Sequence, residues 1–155
     1  MKNIPKKINS ALRGEENMTI DKVAILIKKA ALQAEKLQTP ILASYDLSVA
    51  QYKFLKYLYN SPKDTVRVVD LEMRYSMTHP AVIDILKLLE KKGYTERKVN
   101  PEDARSKIVS LTEKAYSQQK ELEDLGDKME EKVTANLNEE EKAELIALLH
   151  KLTAD

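Results

Sequence analysis

The chain has no cysteine, no tryptophan, one phenylalanine and three glycines among its 155 residues. Without cysteine, disulfides, thiol redox chemistry and cysteine-ligated zinc are excluded. Three glycines leave little turn chemistry for a many-stranded sheet, whose hairpins draw on residues tolerant of positive φ. Aromatic side chains make up 5% of the chain, charged ones 33% and apolar ones 43%, a balance that suits amphipathic helices better than a β-sandwich. No apolar run approaches the length of a membrane span and no signal-like segment opens the chain, which implies a cytoplasmic protein. The two histidines, His79 and His150, lie far apart in sequence. Solvated or capping roles are expected for both, with neither a metal nor another cofactor.

The sequence also lacks a glycine-rich phosphate loop and a nucleophile with an adjacent base, so no enzyme is expected. Acidic neighbours such as Glu139 and Glu140 stand at a helix start, where the helix dipole accounts for them. The net charge of +1 is unevenly spread. Residues 1–61 carry 10 basic and 5 acidic side chains, 62–111 carry 10 and 8, and 112–155 carry 6 and 12. An anionic partner would therefore meet the first two thirds of the chain.

A length of 155 residues without a low-complexity break reads as a single domain, 1–155. After a basic opening stretch, apolar residues recur at Ile20, Val23, Ala24, Ile27, Ala30, Ala31, Ala34 and Leu37, the spacing of one helical face, with Pro40 expected to close the helix. Ser48 and Gln51 have capping-box spacing for a second helix that carries Val49, Tyr52, Leu55 and Leu58 inward. The β-branched stretch Thr65 to Val69 reads as a small strand leading into a short helix with Leu71 and Tyr75 on one side. Thr78 is the expected cap of the next helix, with Pro80 tolerated in its first turn and Gly93 ending it.

Two short strand candidates, "YTERKV" and "SKIVSL", flank the charged loop "NPEDAR" and together make a hairpin. Thr112 then caps a long helix with apolar positions at Ala115, Leu122, Leu125, Met129 and Val133. Asn138 and Glu141 have capping-box spacing for a last helix bearing Leu145, Leu148, Leu149 and Leu152. The predicted fold is mainly α with a small β-hairpin wing. A helix pair followed directly by a hairpin is the winged helix-turn-helix plan, in which the second helix of the pair enters the DNA major groove.

On a helical wheel, Val82, Ile85, Leu86 and Leu89 form the buried face of that second helix. The opposite face holds Pro80, Asp84, Lys87 and Lys91, with Ile83 at its flank, Ala81 beside it and Thr78 and His79 at the amino-terminal end. Hydroxyl, imidazole and free N–H groups at a helix start suit phosphates or base edges. Asp84 has two readings: acceptor for a cytosine amine, or a solvated partner of Lys87.

The stretch "NPEDARSKIVSLTEKA" resembles the wing signature of the MarR family of bacterial transcriptional regulators, and "MTHPAVIDILKLLEKKGYTERK" is similar to that family's recognition helix and the segment after it. The resemblance covers roughly Thr19 to Leu152. It departs at Ala104, where the family often has a second basic residue, and at Ala81, Ile83 and Asp84, where hydroxyl residues and an arginine are common. It implies a winged helix-turn-helix over about 46–115 and a helical dimerisation lobe from about 1–45 and 116–155. Ile20, Val23, Ile27, Leu145, Leu149 and Leu152 would then face a second copy. Arg105 would reach the minor groove, oriented by Asp103, with Lys98 and Lys107 on phosphates. The implied function is that of a homodimeric, sequence-specific repressor on an inverted-repeat site in double-stranded DNA. A small-molecule effector near Tyr45 and Tyr52 would release it. The rival reading is a winged domain that binds another protein without sequence-specific DNA binding, suggested by Asp84, Ala104 and the near-neutral central segment.

Overall fold

The computed structural model of the protein describes residues 22–154. The basic opening stretch and Ile20 lie outside the described residues. The chain divides into two compact units, Met1–Ala34 and Glu35–Asp155. The described helices are α1 (Val23–Leu42), α2 (Val49–Tyr59), α3 (Val68–Tyr75), α4 (His79–Lys91), α5 (Glu113–Ser117), α6 (Gln119–Val133) and α7 (Glu139–Thr153). Strands β1 (Thr95–Val99) and β2 (Lys107–Leu111) form one antiparallel hairpin between α4 and α5, with Thr95 opposite Leu111 and Val99 opposite Lys107.

Local chemistry sets most of the helix boundaries. Ser48 Oγ accepts the Gln51 N–H at 3.1 Å and Gln51 Oε1 accepts the Ser48 N–H at 3.1 Å, the predicted capping box of α2. Asn138 and Glu141 exchange the same pair of bonds at the start of α7, at 2.8 and 3.1 Å. Gly93, at φ 81°, ends α4 in the left-handed region, and the next N–H, of Tyr94, returns to the Leu89 carbonyl at 2.9 Å.

Three sequence expectations are corrected. Pro40 does not close α1, which continues to Leu42. Pro40 sits in the last turn, where it forfeits one hydrogen bond to the preceding turn without preventing the chain from continuing, and Leu42 is completely buried. Thr65 to Val69 do not form a strand. Asp70 Oδ2 accepts the Arg67 N–H at 2.8 Å and starts α3 at Val68, which reduces the expected strand to a bridge between Arg67 and Ile108. Local capping here outweighs β propensity. Finally, the long helix expected after Thr112 breaks into α5 and α6 at Gln118, whose side chain accepts the Tyr94 hydroxyl at 2.8 Å.

The core of the second unit gathers Phe54, Leu55, Leu71, Val82, Leu86, Leu89, Val109 and Leu122, all under 2% exposed. Phe54 stacks on Tyr75 with ring centroids 5.4 Å apart. Tyr52 crosses to α6 and donates its hydroxyl to the Leu122 carbonyl at 3.0 Å. Gly126 makes that approach feasible, since a Cβ there would stand 2.3 Å from the Tyr52 hydroxyl oxygen. By contrast, α7 buries no residue, and Leu145, Leu148, Leu149 and Leu152 are each 41–56% exposed. In α1, Val23 and Ile27 are also exposed. Among the described residues no helix is long and apolar enough to cross a membrane.

Candidate nucleic-acid interface

Helix α4 follows α3 through a three-residue turn. Ser76, at φ 50°, reverses the chain, and Thr78 caps the new helix by accepting the Ala81 N–H at 3.4 Å. Val82, Leu86 and Leu89 seat the helix on the core, while Ile85, predicted to be core, is only half-buried. The rest of the helix divides as the wheel predicts. Thr78, His79, Pro80, Asp84, Lys87 and Lys91 are exposed, and Ala81 and Ile83 are half-buried beside them. Among the described residues no ion pair within 4.0 Å joins Asp84 to Lys87.

The wing tip is a folded turn. Asn100 Oδ1 accepts the Glu102 N–H at 3.0 Å, Asp103 Oδ1 accepts the Arg105 N–H at 3.0 Å, and the Ser106 N–H returns to the Asp103 carbonyl at 3.0 Å. Asp103 therefore acts on Arg105 through its backbone. Among the described residues no side-chain ion pair within 4.0 Å joins Asp103 to Arg105. Lys98 pairs with its neighbour Glu96 at 3.3 Å, and Lys107 is exposed.

Between α4 and the wing lies a cleft of about 460 Å³ whose lining includes His79, Ile83, Arg67, Arg97, Arg105 and Lys107. Its three arginines fall into two kinds. Arg67 clasps Asp70, with Nε and NH2 at 3.2 and 2.8 Å, and the guanidinium holds the Asp70 carboxyl below the usual carboxylate range. Arg97 clasps Glu90, in the last turn of α4, at 2.6 and 3.2 Å. Arg105 makes no ion pair among the described residues and so keeps all its side-chain donors free. Arg67 and Arg97 escaped the sequence reading. The available signal was an acidic residue three positions after Arg67 and another seven before Arg97, but the second pairing needs the hairpin to fold back on α4.

The two tyrosines expected near an effector site have their hydroxyls engaged. Tyr52 is buried on Leu122, and burial raises its phenol above the ordinary range. Tyr45 is half-buried and donates to Glu121 Oε2 at 2.7 Å, a hydrogen bond that likewise raises its phenol.

A helix-turn-helix whose second helix is flanked by a two-stranded wing with a free arginine at its tip defines a winged helix-turn-helix protein. Residues 36–125 match the family model described as Transcriptional regulator SarA/Rot. The chain belongs to this family of transcriptional regulators, which is not a family of enzymes. Solved structures match the fold and bear out the MarR resemblance. A mutant MarR from E. coli complexed with operator DNA is 27% identical, with a TM-score of 0.78 over 90% of this chain and 99% of that one. The S. aureus MepR–DNA complex is 26% identical, with a TM-score of 0.75 over 85% and 96% of the two chains. Among curated relatives, the HTH-type transcriptional regulator YdgJ of Bacillus subtilis (strain 168) is 28% identical over 106 residues, 68% of this chain and 63% of its own length.

Proposed function

We propose that the protein is a homodimeric, sequence-specific DNA-binding regulator. In this reading α4 enters the major groove with Thr78, His79, Pro80, Ala81, Ile83, Asp84, Lys87 and Lys91 on the DNA side. The wing follows the adjacent backbone or minor groove through Arg105, with Lys98 and Lys107 on phosphates. The observation that carries it is the unequal treatment of the arginines around the helix–wing cleft: Arg67 and Arg97 are occupied by carboxylates, and Arg105 has no such partner among the described residues. The matched MarR and MepR structures, both complexes with DNA, support the same reading.

Dimerisation accounts for apolar faces that one chain leaves in water, Val23 and Ile27 on α1 and Leu145, Leu149 and Leu152 on α7. A symmetric dimer implies an inverted-repeat site. Repression with release by a small-molecule effector completes the proposal. The effector would have to bind the DNA-free conformation more tightly, and Tyr45 and Tyr52 are the aromatic side chains assigned to it. The test is selection of bound fragments from the source organism's genomic DNA at about physiological salt. Enrichment of inverted repeats with half-sites about one helical turn apart supports the reading, and folded, dimeric protein that enriches nothing counts against it.

A second reading, a winged domain that binds protein, draws on Asp84, an exposed carboxylate on the groove face with no cation partner within 4.0 Å among the described residues. Salt decides between the two. A dimer that makes about 6 to 10 phosphate contacts loses about a thousandfold or more in affinity between about 50 and 200 mM salt, whereas a duplex-independent protein contact does not follow that slope.

A further inference from the structure

Glu72 and His79 face each other across the turn between the two helices of the helix-turn-helix. The Glu72 carbonyl accepts the Met77 N–H at 3.0 Å and also the Ser76 N–H, so its backbone closes α3. Its side chain, only 21% exposed, brings Oε1 to 2.5 Å from Nδ1 of His79, the first residue of α4. An ionised carboxylate offers only lone pairs, so the hydrogen in this contact belongs to Nδ1. In a neutral imidazole the other nitrogen, Nε2, is then an acceptor.

The His79 side chain is 66% exposed, and Nε2 has no hydrogen-bond partner among the described residues. The charged groups that line the same cleft as His79 are Glu72 on α3, Arg67 before α3, Arg97 on β1, Asp103 and Arg105 in the wing, and Lys107 on β2. Arg67 and Arg97 are already turned to carboxylates.

We infer that His79 is a specificity-determining residue that accepts a hydrogen bond from the exocyclic amine of adenine or cytosine, and that Glu72 is the positioning residue that holds its Nε2 in the acceptor state. This deepens the DNA-binding reading above and rests on it. In the major groove only the adenine N6 and cytosine N4 amines are donors, while adenine N7, guanine N7 and O6 and thymine O4 are acceptors. A histidine with its hydrogen on Nε2 would read the second group. Glu72 turns His79 toward the first.

The experiment has two arms. Long-range ¹⁵N–¹H correlation spectra of the DNA-free full chain, which separate the two neutral tautomers from the imidazolium, are expected to show a neutral His79 ring with its hydrogen on Nδ1. The Glu72→Gln variant is expected to show mixed tautomers. A wild-type hydrogen on Nε2 overturns the inference whatever the protein does with DNA. In the second arm, His79→Ala is expected to lose discrimination at one base pair per half-site of the selected operator. Replacing adenine there by purine, or cytosine by 2-pyrimidinone, removes the amine. The wild type should then lose affinity about three- to tenfold, within the range for loss of a base contact, and His79→Ala should be indifferent. A His79→Ala loss that is equal for all sequences makes His79 a phosphate contact and overturns the inference. Wild-type protein with the Nδ1 tautomer that selects no DNA removes the DNA-binding reading itself, so the two failures are told apart.

Discussion

Arg97 on β1 closes a two-pronged ion pair on Glu90 in the last turn of α4, at 2.6 and 3.2 Å, with each side chain about a quarter exposed. The pair ties the wing to the helix beside it. Glu90→Gln should cost about 1 kcal/mol of stability, in the range of solvent-accessible ion pairs, but should weaken operator binding by more than that loss explains, because the wing is no longer held in register with α4. A denaturation curve and an operator titration on the same preparation check this. Equal binding by wild type and variant would reduce the pair to a stabilising contact.

Arg105→Ala removes the one cleft arginine that has no carboxylate partner among the described residues. The turn survives, since Asp103 accepts the backbone N–H of residue 105 whatever its side chain. The melting temperature should stay within a degree or two, while operator affinity falls and the slope of log affinity against log salt drops by about one. An unchanged slope would take Arg105 off the phosphates.

Gly126 and Tyr52 should behave as a coupled pair. Gly126→Ala places a methyl group 2.3 Å from the Tyr52 hydroxyl oxygen, and the displacement should cost about 1–3 kcal/mol. Tyr52→Phe removes the obstructing atom, so the double variant should be more stable than Gly126→Ala alone. A double-mutant cycle of urea midpoints measures the coupling, and strict additivity would mean that helix α6 shifts instead.

Leu149→Asp puts a charge on the exposed apolar face of α7, where one chain buries no residue. The fold of the monomer should persist and sedimentation should report monomers in place of dimers. A dimer that survives the substitution would move the interface elsewhere.

Burial raises the phenols of Tyr52, Tyr59, Tyr75 and Tyr94 above the ordinary tyrosine range. The unfolded chain releases these protons first, so the stability they contribute is complete at neutral pH and is lost as pH rises above about 10. Tyr59, whose hydroxyl donates to the Ala115 carbonyl, is the most informative of the four. Tyr59→Phe should make the alkaline decline of the denaturation midpoint shallower, and an identical decline would assign the effect to the other three.

Much of the fold was legible because its signals are local. Ser48 with Gln51, Thr78, Thr112 and Asn138 with Glu141 each make their caps within three residues, so composition and spacing alone announce them. Gly93 could be read as a helix end for the same reason. The apolar face of α4 follows from a period of 3.6, and Val82, Leu86 and Leu89 are indeed buried. Where two local tendencies competed, the sequence misled. Thr65 to Val69 have strand-forming side chains, yet the Asp70 carboxylate on the Arg67 N–H starts a helix there.

Interactions within a few residues along the chain therefore announce the helix-turn-helix and its hairpin, the caps of α2, α4, α5 and α7, the inward faces of α2 and α4 and the charged hairpin tip, whereas the apolar stripe of α7 does not turn inward at all. The distribution of charge at the site depends instead on packing between elements. Glu90 takes Arg97, Glu72 takes His79, and Arg105 is left without a carboxylate partner among the described residues. Those partnerships join residues on different elements, and they exist only once the hairpin and the helix turn have brought the elements within hydrogen-bonding distance.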